Sequence, residues 1–131
     1  MRAIYERADA AFSAFSCPGT AECCQLLKTG LEPWLWPSEW LTLEAWLVRE
    51  RRPRPLPPRQ DLGCPLLDAE GMRCTVYGAR PLGCRTYFCH RIRGPARQPT
   101  EVMNGLQRRL EVLHEGEPKP LLTWLRETGW T

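Results

Sequence analysis

No stretch of this 131-residue chain approaches the roughly 20 consecutive apolar residues that a membrane helix requires. The opening residues, MRAIYERADAAFSAF, interleave charges with apolar side chains and lack the unbroken apolar core of a secretion signal. These two absences lead to the expectation of a soluble, cytoplasmic protein. There is no internal repeat, and no phosphate loop, paired-carboxylate motif or serine–histidine–acid constellation stands out, so the chain is not expected to be an enzyme on its own. There is also no CxxC anywhere, which excludes a zinc ribbon built from two such knuckles. Lysine is scarce, and the net charge is only +3, low for a protein devoted to nucleic acid.

What is present argues for a folded chain. Hydrophobic residues make up 43% and charged residues 25%, which excludes wholesale disorder, while 13 prolines imply several irregular connections. Six tryptophans supply bulky packing material. At this length one domain is expected, with a modest core that gains from a staple. Seven cysteines in a reducing compartment point to metal or redox chemistry ahead of structural disulfides, and an odd number cannot pair completely. The basic residues are nearly all arginine and gather between Arg49 and Arg109, an asymmetry that suits an anionic partner or a buried cluster of thiolates.

Periodicity gives the elements. Ile4, Ala8, Ala11, Phe12 and Phe15 make one apolar face of a helix over residues 2–15, closed by Pro18 and Gly19. Ser38 offers a capping hydroxyl to a second helix, with Trp40, Leu43, Leu47 and Trp46 on one side, ending before Pro53. RRPRPLPPRQ, residues 51–60, cannot be helical and reads as a stiff connector. After Cys64, PLLD and MRCTVY flank an AEG turn, a short hairpin. Pro81 starts a short helix, LGCRTYFC. Further helices run from Thr100, with Met103, Leu106, Leu110 and Leu113 on one face, and from Pro120 to a stop at Gly129. The expected fold is mainly α with a small β-hairpin, a compact, irregular, metal-stapled single domain over residues 1–131. Its cysteine-cluster core spans 17–90, and the C-terminal helices of 100–131 cap it, with Trp124 and Trp130 turned to the core.

Cys64, Cys74, Cys84 and Cys89 follow one another at intervals of ten, ten and five, and Cys17, Cys23 and Cys24 sit in CPGTAECC. Four thiolates suit tetrahedral zinc or an iron–sulfur cluster, because deprotonated sulfur is a strong, polarizable donor. At these intervals the ligands come from the N-terminal loop, the hairpin and the short helix, so a metal would tie three segments together. His90 is an alternative imidazole ligand. A metal that merely replaces missing core is the plainest use of such a site.

These residues resemble the YkgJ-type cysteine-cluster proteins, a zinc- or iron-chelating domain with a CxxCxxCC signature. Cys17, Cys23 and Cys24 match the first, third and fourth signature cysteines, and Thr20 stands in place of the second. Cys64 and then CTVYGARPLGCR, with Cys74, Tyr77, Arg80, Pro81, Cys84 and Arg85, match the later pattern, which Cys89 extends. The resemblance covers about residues 17–90 and implies ligands pooled between the motifs. It implies a four-iron, four-sulfide cluster, with zinc as the alternative. Glycine and proline beside the cysteines leave backbone amides free for sulfur, and a similar module in flagellin lysine methylases also leans to iron. Arg80 and Arg85, with Arg73 and Arg91, are placed to offset the negative charge. The function expected is electron transfer, metal handling or support of a protein partner, redox or enzymatic. A methylation-related subunit and a zinc-stapled nucleic-acid module rank below it.

Overall fold

The structure, a computed structural model, describes residues 1–13, 32–61, 63–70, 73–86, 99–113 and 116–131. Helix α1 is Arg2–Ala11 and turns off at Phe12, whose amide returns to the Ala8 carbonyl at 3.1 Å. Ile4, Ala8 and Phe12 recur every fourth residue and are buried, with Tyr5 beside them. The expected stop at Pro18 and Gly19, and the inward Phe15, lie outside the described residues.

Strand β1 is Trp34–Leu35, and helix α2, Pro37–Arg49, follows directly. Its start differs from the expectation. Pro37 occupies the first helical position, where its fixed φ is already helical and its missing N–H is of no consequence. Trp36 is therefore the N-cap, in extended conformation, and the Ser38 hydroxyl turns to Met1 Sδ at 3.5 Å instead of capping. The Trp36 amide is taken by Glu39 Oε1 at 3.3 Å. The expected apolar face is present: Trp40, Leu43 and Leu47 are buried and Trp46 packs against them.

The proline-rich connector is held along its length. Leu56 is buried and its amide donates to the Trp130 carbonyl at 2.7 Å. The Arg52 guanidinium donates to the Thr75 hydroxyl, and Arg54 donates to the Thr128 carbonyl while lying 4.7 Å over the Trp130 ring. With few amides to offer, the segment is anchored by its arginine side chains.

The hairpin expected after Cys64 exists as a single antiparallel bridge, Leu67 to Cys74. Backbone bonds from Asp68 N to Arg73 O, 2.8 Å, and from Thr75 N to Leu66 O, 2.9 Å, flank it. Among the described residues the two-stranded sheet lies elsewhere: β1 pairs antiparallel with β2, Lys119–Pro120, bringing Trp34 opposite Pro120 and Leu35 opposite Lys119. Pro120 cannot donate, and the Leu121 amide makes the next bond across, to the Pro33 carbonyl at 2.9 Å. A 3₁₀ turn, Tyr77–Ala79, leads into helix α3, Leu82–Thr86, whose first bonds run from the Cys84 and Arg85 amides to the Pro81 carbonyl. Helix α4 is Thr100–Val112 and α5 is Leu121–Glu127, the latter followed by Gly129 with φ of +83°, a left-handed position open to glycine. On α4, Leu106 and Leu110 are buried, but Leu113 lies past the last helical residue and is 62% exposed, so the expected face ends one turn early.

The core has two parts. The larger gathers Leu35, Trp40, Leu43, Leu47, Leu56, Cys64, Leu66, Leu67, Val76, Leu121, Leu125 and Trp130. The smaller joins α1, the start of α3 and α4 through Ile4, Tyr5, Ala8, Leu82, Leu106 and Leu110. Trp124 stacks on Trp40 with ring centroids 5.7 Å apart and donates Nε1–H to the Leu35 carbonyl at 2.9 Å. Trp130 donates Nε1–H to Glu44 Oε2 at 2.9 Å, so each of these two indoles packs inward with its polar atom paired. The C-terminal helix is core, as its sequence implies.

Two stability measurements follow. Leu125→Ala removes a fully buried side chain and is expected to destabilise by about 2–5 kcal/mol in denaturant titration. Gly105 sits inside α4, and a Cβ added there would meet nothing within 4 Å, so Gly105→Ala is expected to stabilise by about 0.5–1 kcal/mol.

Candidate metal centre

The bridged turn brings two of the expected ligands together. Cys74 is the bridge residue itself, and Cys64 starts the turn, its carbonyl accepting from the Leu67 amide at 3.1 Å. Both sit at the larger core, Cys64 buried within it and Cys74 packed against it, and both are thiols. Burial pushes the Cys64 thiol up to about 12, with the neighbouring Cys74 and Glu32 acting in the same sense. The Leu66 amide, which donates to the Cys64 sulfur, and the Arg59 guanidinium oppose that shift. Burial thus favours the protonated thiol where no metal is bound, and a metal ion replacing that proton would hold the thiolate in so apolar a place.

Arg59, in the connector, was not singled out by sequence, although it shapes this turn. Its Nε and Nη2 grip Asp61 in a two-point pair, each at 2.8 Å, while Nη1 donates to the carbonyls of Leu67 at 3.0 Å and Asp68 at 2.7 Å. The guanidinium holds the Asp61 carboxyl down to about 2, with help from the Gly63 amide. One planar cation therefore binds the connector to the backbone that carries Cys64 and Cys74.

Cys84 lies on α3, next to a different network. Glu39, 1% exposed, accepts from the Leu82 amide at 2.6 Å and from the Tyr5 hydroxyl at 3.1 Å, both on Oε2. Burial raises the Glu39 carboxyl above its ordinary value, against the pull of the donors, and burial together with Glu39 raises the Tyr5 phenol. Arg85 adds the cation: Nη1 to Asp9 Oδ2 at 2.7 Å, Nε to the Arg80 carbonyl at 2.7 Å, Nη2 to the Gly78 carbonyl at 2.6 Å, with the guanidinium 4.0 Å over the Tyr5 ring. Arg80 lies 3.6 Å over the Tyr77 ring and donates to the Tyr77 carbonyl at 2.9 Å. Gly78 is fixed by contact, since a Cβ there would come within 2.7 Å of the Trp46 ring. The segment YGARPLGCR is thus clamped from α1 and α2 before any metal is considered.

Glu39 had a signal in the sequence. It lies four residues before Leu43 and eight before Leu47, on the apolar stripe of α2, where an acid must find partners inside.

Among the described residues, no three histidine, cysteine, aspartate or glutamate side chains converge closely enough to hold a metal ion. The structure joins Cys64 to Cys74 and sets Cys84 on the separately clamped α3. Cys17, Cys23, Cys24, Cys89, Thr20 and His90 lie outside the described residues. No helix described is long and apolar enough to cross a membrane.

A family described as "Putative zinc- or iron-chelating domain", with the signature CxxCxxCC, matches residues 16–104, more than half of the chain and a span that contains all seven cysteines. The chain belongs to this family. No curated protein and no solved structure matches it. The donor set fits the description: neighbouring thiols in a water-poor turn are soft ligands of the kind zinc and iron centres use.

The Glu39 network gives two measurable effects. Glu39→Ala leaves the Leu82 amide and Tyr5 hydroxyl without their acceptor and is expected to destabilise by about 1–3 kcal/mol. Because the folded chain keeps the Glu39 proton to a higher pH than the unfolded chain, its contribution is whole below the ordinary value of 4.5 and lost as pH rises through the raised one. Denaturant midpoints taken across that range are expected to fall with rising pH in the wild type relative to Glu39→Gln, which carries no such proton.

Proposed function

We propose that this chain is a cysteine-cluster metal protein whose centre is an iron–sulfur cluster, serving electron transfer, metal handling or the support of a protein partner in a reducing, cytoplasmic setting. The observation that carries the reading is that buried Cys64 neighbours Cys74, the latter bridged to Leu67, on one turn in a chain of a chelating family. Cys84, Cys17, Cys23, Cys24 and Cys89 are the pool from which the remaining ligands come. A bound cluster supplies one-electron chemistry; the chain supplies thiolates, an amide from Leu66 to the Cys64 sulfur, and the Arg59 clamp. The amide donated to sulfur favours iron, because such bonds tune cluster potentials. Arg85 adjoins Cys84 but is paired with Asp9, which leaves Arg80, four residues before Cys84, as the cation to offset charge at that end of the centre.

A zinc staple is the second reading, and the burial of Cys64 among core leucines favours it, since a structural metal there would add directly to folding. Purification without oxygen, followed by iron, sulfide and zinc analysis, separates the two. The iron reading expects a brown protein whose broad visible absorbance bleaches on reduction. Stoichiometric zinc in a colourless protein replaces it with the staple. Neither metal, in material never exposed to air, overturns both. Cys64→Ser and Cys74→Ser are each expected to weaken metal retention at least about tenfold, measured by competition with a chelator.

A further inference from the structure

Helix α4 carries a feature that the metal centre does not use. A groove of about 420 Å³ runs along it, lined by Gly105, Arg108, Arg109, Val112 and Leu113. A second, of about 260 Å³, is lined by Arg7 of α1 with Glu101, Val102, Gly105, Leu106 and Arg109. The two share Gly105 and Arg109 and so flank the same stretch of α4, the second reaching α1 through Arg7.

Three observations bear on what fills them. Val112 and Leu113 are 86% and 62% exposed at one end, an apolar pair that no described residue covers. Arg7, Arg108 and Arg109 make no ion pair with any described residue, and among the described lining residues Glu101 is the single acid. Gly105 lies at the middle of the helix, where glycine weakens it, with open space where its side chain would be. No contact with a described residue calls for glycine there, and its missing side chain leaves the helix surface low at that point. An unpaired basic lining with an apolar end and a flat midpoint is complementary to a segment that carries carboxylates beside apolar side chains.

We infer that the grooved face over Gly105 is a docking surface for an acidic amphipathic segment of a partner protein, with carboxylates meeting Arg7, Arg108 and Arg109 and an apolar side chain seated between Gly105 and Val112–Leu113. The lining includes none of the described cysteines, Cys64, Cys74 and Cys84, and the inference does not depend on which metal the chain holds.

The probe is a synthetic, fluorescently labelled helical peptide with leucines at every third and fourth position and glutamate on the flanks, titrated into the full-length protein and followed by anisotropy. Two control peptides replace the leucines by serine or the glutamates by lysine. Saturable binding of the acidic leucine peptide is expected, weakened by salt and at least about tenfold stronger than that of either control. Arg108→Glu with Arg109→Glu is expected to abolish it, and Gly105→Leu to weaken it about tenfold or more, both with unchanged far-ultraviolet circular dichroism and metal content. Gly105→Ala, which leaves the helix stronger, separates loss of fit from loss of fold.

The inference is overturned if the acidic leucine peptide does not bind, if the serine control binds equally, or if Gly105→Leu binds as the wild type does. Preferential binding to vesicles of mixed zwitterionic and anionic phospholipid, or to duplex DNA, over the peptide would also overturn it. So would a concentration-dependent dimer, broken by Gly105→Leu, in place of peptide binding.

Discussion

A single carboxylate joins the parts of this protein. Glu39 sits between the two cores and accepts from the amide that opens α3, from a phenol on α1 and from the residue that caps its own helix. A buried charge without partners would be prohibitive, so the three donors and the carboxylate must assemble together or not at all. Arg85 completes the arrangement from the other side, tying α1 to the turn through Asp9 and two carbonyls. The result is that the helix carrying Cys84 is fixed to α1 and α2 by polar contacts beside the smaller core, while Cys64 and Cys74 sit at the larger core on a turn that Arg59 clamps. The three described cysteines are therefore carried by two separately anchored parts of the fold.

The proline-rich segment shows how a chain with few donors can still be fixed. Residues 51–60 place side-chain guanidinium groups where an ordinary loop would place amides: Arg52 and Arg59 reach the two arms of the Cys64–Thr75 turn, and Arg54 the end of the C-terminal helix. Arginine suits this work better than lysine, because a planar fork can grip a carboxylate with two atoms and still offer a third donor to backbone. The clustering of arginine in the middle of the sequence thus serves internal cohesion at these positions as well as any external anion.

What could be read from the sequence follows from how local the signal is. The apolar face of α2 and the helix between Pro120 and Gly129 rest on periodicity and on punctuation by proline and glycine, and both are present as expected. The turn between Cys64 and Thr75 was legible as a hairpin but not as a single bridge, since the extent of pairing depends on what packs beside it. The pairing of β1 with β2 was not legible: two residues are too few to show alternation, and one of the strands contains a proline. Ser38 misled because a good capping side chain lost to the proline before it. Arg85 was read as a counter-charge for sulfur; sequence shows that a charge is present, and Asp9, 76 residues away, becomes visible as its partner only in three dimensions.

The bridge between Leu67 and Cys74 has one more implication. Backbone bonds on either side of it hold Cys74 against Leu67, and the Leu67 amide in turn holds the Cys64 carbonyl, so the two cysteines are carried on one hydrogen-bonded turn. For the centre proposed above, this side would offer two sulfurs from that single unit. Accommodation to the size of an ion or cluster would then fall to the other thiols of the proposed pool.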